Sequence, residues 1–173
     1  MSIENLPAPE GRFNFAQHLL ECNQQRASKT AYIDDQGSLT YAELADRIQR
    51  MASMLMNAGV HREERVLLLV HDCNDWPVAF LGAMYAGIVP VAVNTLLTAN
   101  DYHYMLSNSR ATAAIVSEAL RPTLEAALAK GDHAIKTVLV SRASADLPAG
   151  MLHLEQAIQA TEPLAKPANT SAD

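Results

Sequence analysis

Four short apolar runs at regular spacing constrain the fold of this chain more than any other feature. They are Val66–Val70, Val89–Val93, Thr112–Val116 and Thr137–Val140, and they start 23, 23 and 25 residues apart. A strand, a helix and two short loops fill about that length. Because the runs are apolar without alternation, both faces of each strand should be covered. The pattern predicts an α/β fold with a doubly wound, mostly parallel sheet and flanking helices.

Ligands of such sheets usually bind at the carboxyl ends of the strands. The residues that follow the four runs are His71–Asn74, Asn94–Leu97, Ser117–Glu118 and Ser141–Arg142. His71 and Asp72 are candidates there by position, although Asp72, Asn74 or Asp75 could instead cap the next helix. Arg142 is the nearest cation on this edge, and the sequence shows no partner motif for it.

Composition and charge exclude several classes of function. The chain has 173 residues and a net charge of -6 at pH 7, which argues against a nucleic-acid or anionic-membrane partner. Cys22 and Cys73 lie far apart, without metal-binding spacing, and fit a reducing compartment. The first residues do not resemble a secretory signal, and the longest apolar stretch is too short and too interrupted to span a membrane. We therefore expect a cytoplasmic protein.

Local signals place further elements around the predicted sheet. Thr40–Glu43 matches a capping box and opens an amphipathic helix that should end at Gly59. Thr98 should cap a later helix, with Asp101 at its third position. Pro90 inside the second run suggests an irregularity or an edge strand.

Asp34 ends the first of two short strand-like segments, Thr30–Asp34 and Ser38–Thr40, and Asp35 begins the turn between them. Paired acids at a strand end can hold magnesium, but acids that open a tight turn are the favoured interpretation.

The chain divides into three predicted parts. Residues 1–12 form an N-terminal arm with two prolines and a glycine, and residues 13–160 form the α/β subdomain. A modest helix is predicted at Leu152–Ala160. Residues 161–173 lack apolar periodicity and are predicted to be a flexible tail or linker.

Three motifs resemble those of adenylate-forming acyl- and aryl-CoA ligases. Leu39–Leu44 (LTYAEL) resembles a motif near the start of these enzymes, and Gly82–Val91 is similar to their second core motif. Val93–Tyr102, which contains NTLLTANDY, and Trp76–Gly82 are similar to benzoate–CoA ligases. The resemblance covers Phe13 to about Ala160. It implies that the sheet is an incomplete portion of the large N-terminal domain of such an enzyme.

The family reaction has two steps: a carboxylate attacks ATP to give an acyl-adenylate, and the thiol of coenzyme A then displaces AMP. The resemblance thus implies ATP, Mg²⁺ and coenzyme A as substrates of an intact enzyme of aromatic degradation. The family's phosphate loop, ribose-binding acid and catalytic lysine are not found in residues 1–173. We expect an N-terminal fragment that is inactive alone and binds none of these cofactors. Its partners would be the rest of the ligase chain and, through exposed apolar surface, other copies of itself.

No catalytic residue and no metal ligand can be assigned from the sequence. The resemblance implies that Tyr85 lies near coenzyme A, although a buried helix equally suits a tyrosine that packs in the core. Asn94 and Thr95 would shape the acyl site indirectly, and turn formation is the alternative. His103 is expected to be an exposed helix residue.

Other classes of function remain open at this point. A non-catalytic, doubly wound binding or signalling domain would share the fold. A receiver-like domain would use acids such as Asp34 and Asp35 and a lysine after the last strand, but this chain has Ser141–Ala143 there and a hairpin after Asp35. A scaffold that has lost the rest of the enzyme and a ligase for medium-chain fatty acids are further alternatives.

Overall fold

The computed structural model describes residues 11–144 and 146–172, so most of the predicted arm at 1–12 lies outside the described residues. The strands are β1 Thr30–Asp34, β2 Gly37–Thr40, β3 Arg65–Leu69, β4 Val89–Ala92, β5 Ala113–Ser117, β6 Thr137–Ser141 and β7 Met151–His153. The helices are α1 Phe15–Asn23, α2 Tyr41–Asn57, α3 Asp75–Tyr85, α4 Ala99–Ser109, α5 Arg121–Leu128 and α6 Leu154–Gln159. Single 3₁₀ turns lie at Gln24–Arg26 and Glu118–Leu120.

The four apolar runs form adjacent parallel strands, which confirms the predicted fold. The main sheet has the order β4-β3-β5-β6-β7, and each neighbouring pair is parallel. From β3 onward this is the flavodoxin-like order, in which the chain reverses direction across the sheet between β3 and β5. β1 and β2 form a separate antiparallel hairpin.

β7 was not predicted, and the predicted helix at Leu152–Ala160 begins later, at Leu154. Met151–His153 instead pairs with Val138–Val140 of β6. Three residues are too few to show a strand periodicity, and their extended conformation depends on the partner strand. The signal is therefore absent from the local sequence.

Helices cover both faces of the main sheet. α1, α2, α3 and α6 pack on the face that carries Val66, Leu68 and Ile115. α4 and α5 pack on the face that carries Leu67, Leu69 and Val116. Crossover connections between parallel strands are right-handed. The helices therefore move to the other face of the sheet at the point where the chain reverses direction.

The closest helix packing in this core lies between α2 and α3, at Gly82. A Cβ atom at this position would lie 2.6 Å from Cβ of Met51 and 3.2 Å from the carbonyl oxygen of Ile48. Glycine therefore allows the two helices to approach with direct backbone contact.

The predicted capping box at Thr40 and the predicted cap at Thr98 are both present. Thr40 Oγ1 accepts from the Glu43 amide, and the Glu43 carboxylate accepts from the Thr40 amide at 2.7 Å. Thr98 and Asp101 repeat this arrangement at α4. The left-handed Gly59 follows α2, as predicted.

Pro90 lies on an edge strand of the main sheet, which is one of the two alternatives that the sequence suggested. The amides of Val89 and Val93 donate to carbonyl groups of Glu64 and Leu68. The backbone nitrogens of the alternate residues of β4 therefore point away from β3. Pro90 is one of these alternate residues. Because its nitrogen points away from β3, the missing N–H group removes no hydrogen bond from the sheet.

The segment after α6 runs along the helices rather than away from them. Amides of Leu164 and Ala168 donate to carbonyl groups of Gln49 and Tyr85. The buried Asn14 side chain donates to carbonyl groups of Met84 at 2.9 Å and Ala168 at 3.3 Å. The boundaries of the three predicted parts stay predictions, but these bonds hold the described part of the tail, 161–172, against the subdomain.

Candidate functional site

The crevice between β3 and β5 is the position at which doubly wound sheets of this strand order bind ligands. The residues that follow both strands meet there. The amide of His71 donates to Ser117 Oγ at 2.9 Å, and Ser117 is buried at the end of β5. This hydrogen bond joins the two strand ends across the reversal point, while the His71 side chain belongs to an exposed residue.

The side chain of Asp34 connects the β1–β2 hairpin to this edge of the sheet. One carboxylate oxygen accepts from the amides of Gln36 and Gly37, at 2.9 and 3.1 Å, which closes the turn as predicted. The other accepts from the amide of Asn74 at 2.7 Å. The hydrogen bond from Asn74, with the other donors, lowers the pKa of Asp34. Asp34 therefore stays ionised while it joins the hairpin to the start of α3.

Arg142 completes this connection, with partners that no sequence motif indicated. Its guanidinium donates to Asp34 and, at 2.7 Å, to Asp35. Its backbone has φ +58°, a left-handed conformation that non-glycine residues rarely adopt. The pair joins residues more than a hundred positions apart, so no local pattern reveals it. We call Asp34, Asp35, Asn74 and Arg142 the hairpin latch.

A second ionic group lies beside the latch and holds α2, α3 and α6 together. Arg47 donates to Glu155 through two nitrogens, at 2.5 and 2.9 Å, and to Asp75 at 3.1 Å. Asp75 also accepts from Ser141 Oγ at 2.7 Å. The hydrogen bond from Arg47 lowers the pKa of Glu155. Both terminal nitrogens of Arg47 are bonded to carboxylates, which indicates a structural role, although its Nε is buried without a partner among the described residues.

A groove of about 620 Å³ opens between the hairpin and the first turn of α3. It is lined by Tyr32 and Ile33 of β1 and by Trp76 and Pro77 of α3. Its polar lining comprises Asp72, Cys73 and the hairpin latch. We call this cavity the Trp76 groove.

Asn94 and Thr95 lie at the carboxyl edge of the main sheet, in the loop after β4. Asn94 Oδ1 accepts from the amide of Leu96 at 2.9 Å, and its carbonyl oxygen accepts from the Tyr102 hydroxyl at 2.8 Å. These bonds shape the loop and leave Leu96 88% exposed at its tip. The loop geometry thus agrees with the turn interpretation, which does not conflict with an indirect role in shaping a substrate site.

Tyr85 lies at the opposite edge of the sheet. It ends α3, which has returned from the carboxyl end of β3 to the amino end of β4. The following Gly87 accepts from the amide of Glu63, which precedes β3. Tyr85 is 1% exposed, and burial raises the pKa of its hydroxyl. The structure therefore does not bring Tyr85 together with Asn94 and Thr95.

Two smaller predictions about side chains need correction. His103 is partly buried rather than exposed, and its Nδ1 is buried without a hydrogen-bond partner among the described residues. Asn74 occupies the cap position of α3 but does not cap it, since its side chain donates to the Gly37 carbonyl at 3.3 Å. Asp75 is likewise engaged with Arg47 rather than with the helix end. Asn74 and Asp75 thus bond to distant segments of the chain and do not cap α3.

No helix in the described part of the chain combines the length and apolar character needed to cross a bilayer.

Comparisons with known proteins place these features in a family. The family model for AMP-binding enzymes matches residues 19–173. A benzoate–CoA ligase of Thauera aromatica is 44% identical over 82% of this chain and 27% of its own length. A 4-hydroxybenzoate–CoA/benzoate–CoA ligase of Rhodopseudomonas palustris is 39% identical over 93% of this chain and 30% of its own length.

A crystal structure of a benzoate CoA ligase from Burkholderia xenovorans superposes with a TM-score of 0.82 at 49% identity. The superposition covers 91% of this chain and 30% of that one. The chain thus spans less than a third of the length of the curated relatives that it matches.

Proposed function

Because this chain belongs to the family of AMP-binding enzymes, we propose that it is the N-terminal part of an ATP-dependent aryl carboxylate–CoA ligase. The reaction converts benzoate, ATP and coenzyme A to benzoyl-CoA, AMP and pyrophosphate through an acyl-adenylate. The enzyme would be cytoplasmic and would serve the degradation of aromatic acids, with Mg²⁺ accompanying ATP. The observation that carries the proposal is the 44% identity to a benzoate–CoA ligase over 82% of the chain.

Within this proposal, the described residues supply part of the framework and not the reacting groups. Asn94 and Thr95 shape the loop after β4 and thereby the neighbourhood of the acyl site. Tyr85, which the resemblance implies to be near coenzyme A, is buried at the other edge, so its contribution would be to core packing around α3. The main partner is the remainder of the ligase polypeptide. Exposed apolar side chains such as Ile33 and Leu96 would favour self-association of the isolated chain.

Steady-state assays of the full-length protein test the substrate class. Benzoate and hexanoate are compared at saturating ATP and coenzyme A, with kcat/KM as the measure of discrimination. We expect the higher value for benzoate. A higher kcat/KM for hexanoate would favour the medium-chain fatty acid alternative and would overturn the aryl assignment.

A separate test concerns the 173-residue chain alone, which we propose to be catalytically silent. Each preorganised donor around a reacting centre typically changes the rate by about 10²–10³, and the described residues at the carboxyl edge offer no lysine or glycine-rich loop. We expect no ATP–pyrophosphate exchange with benzoate and no ATP binding tighter than about millimolar by calorimetry. Micromolar ATP binding would show that the nucleotide site has been misplaced. Adding the downstream polypeptide in trans should restore turnover if the two parts assemble.

A further inference from the structure

The Trp76 groove has lining residues beyond the hairpin latch, among them Asp72 and Trp76, to which no role has been assigned so far. Its apolar part is preorganised, because the Trp76 ring stacks on Phe80 with centroids 5.0 Å apart and planes 10° apart. Tyr32 and Ile33 of β1 also line the groove, and these residues are 41% and 78% exposed. Its volume of about 620 Å³ lies within the usual range of small-molecule sites. The groove can therefore accept an apolar group of about the size of a phenyl ring.

The charge in the groove is negative. Three carboxylates line it, those of Asp34, Asp35 and Asp72, against the single guanidinium of Arg142. Arg142 is paired with the first two, whereas the exposed Asp72 has no hydrogen-bond or ion-pair partner among the residues that the structure describes. The start of α3 adds a partial positive charge of about half a unit, which the excess carboxylates outweigh. A carboxylate ligand would be repelled here and a cation attracted.

An ammonium group suits this lining. It has three donors that the Asp72 carboxylate can accept, and its charge is attracted to aromatic faces such as that of Trp76.

We propose that the Trp76 groove is a binding site for an organic cation, namely a primary ammonium group carried on an aryl or short alkyl body. The ammonium lies against Asp72 and the apolar body packs between Trp76 and the β1 side chains. The excess negative charge of the groove disfavours an aryl carboxylate as its ligand. The inference does not depend on the proposed ligase activity.

Trp76 is the only tryptophan in the sequence, so its fluorescence reports on the groove directly. The 173-residue chain is titrated with 2-phenylethylammonium chloride, 2-phenylethanol and sodium 3-phenylpropionate, which share the phenyl body and differ in charge. We expect saturable binding of the ammonium compound, with Kd on the order of millimolar or tighter, and weaker binding of the other two. Raising the salt concentration should weaken binding of the ammonium compound and leave the alcohol unchanged.

Asp72→Asn should weaken ammonium binding about twofold to fivefold, as expected for one partly solvated charge pair, and should leave binding of the alcohol unchanged. Asp132→Asn is the matched control, since Asp132 bonds to Ser107 outside the groove. Circular dichroism confirms that both variants fold, and calorimetry gives a second measure of affinity. The proposal is overturned if the ammonium compound shows no saturable change. It is also overturned if the alcohol or the carboxylate binds as tightly, or if Asp72→Asn has no more effect than Asp132→Asn.

Discussion

Replacing Gly82 with alanine tests the packing of α2 against α3, because two physical effects predict opposite signs. Alanine is the better helix former, and this preference alone would stabilise α3 by about 0.8–1.0 kcal/mol. The new Cβ, however, would lie 2.6 Å from Cβ of Met51. Carbon atoms normally approach to about 3.5–4.0 Å, so the helices would have to separate by roughly 1 Å.

The packing cost should exceed the gain in helix propensity. Cβ of Met51 is fixed to the backbone and cannot rotate away, and the carbonyl oxygen of Ile48 lies 3.2 Å from the new atom. Overpacking of a core typically costs about 1–3 kcal/mol. Because the clashing atoms are fixed to the backbone, we expect a cost in the upper part of that range, about 2–3 kcal/mol. Less the gain of about 0.8–1.0 kcal/mol, Gly82→Ala should lower the free energy of unfolding by about 1–2 kcal/mol and the Tm by about 2–8 °C for a chain of this size.

The assay is urea unfolding of the 173-residue chain followed by far-ultraviolet circular dichroism, with thermal melts as a second measure. Met51→Ala and the double variant complete a mutant cycle, in which removing the Met51 side chain beyond Cβ should relieve part of the cost and give a favourable coupling. An unchanged or raised stability of Gly82→Ala would refute the reasoning, since helix propensity would then outweigh the close approach.

Two further predictions concern the helix start and the hairpin. Thr40→Ala removes the hydroxyl that accepts from the first turn of α2 and should cost about 1 kcal/mol in urea unfolding, with a loss of similar size for Thr98→Ala. Identical urea midpoints for Thr40→Ala and the parent chain would mean that the hydroxyl does not act as the cap. The amide of Asn74 and other donors lower the folded-state pKa of Asp34. The ionised Asp34 carboxylate therefore contributes its full stabilisation at pH values well above its unfolded-state pKa of about 4. This stabilisation is lost as the pH falls through the folded-state pKa. Asp34→Asn should therefore destabilise the chain at about pH 7 and progressively less below about pH 4, whereas a deficit that is constant with pH, or equal to that of Asp35→Asn, would contradict this account.

The parts of the fold that were predicted from the sequence have local or periodic causes. Strands buried on both faces require uninterrupted apolar runs, and a capping box requires its residue types at fixed spacing. Pro90 could be assigned to an edge because its missing amide excludes it from the middle of a sheet. Residues such as Thr40, Thr98 and Gly59 thus carry their structural role in the adjacent sequence.

The parts that were not predicted depend on residues that are distant in the chain. β7 is extended only because β6 lies beside it. Arg142 finds its partners in a hairpin that precedes it by more than a hundred residues, and Asn74 leaves its capping role for a carbonyl group of the same hairpin. The candidate edge could be predicted from the strand pattern, but the ion pairs and the groove depend on how the hairpin docks, which no local sequence signal specifies.

The hydrogen bonds at the two ends of the described chain have a consequence for its connectivity. The amide of Phe13 donates to the carbonyl of Thr170 at 2.8 Å, and the Thr170 hydroxyl donates to the carbonyl of Phe13 at 2.6 Å. Polypeptide entering before Phe13 and leaving after Thr170 therefore passes through a single point on the surface. A short linker could join these ends, and new termini could be opened in an exposed loop such as His61–Glu63, giving a circular permutant with the same core.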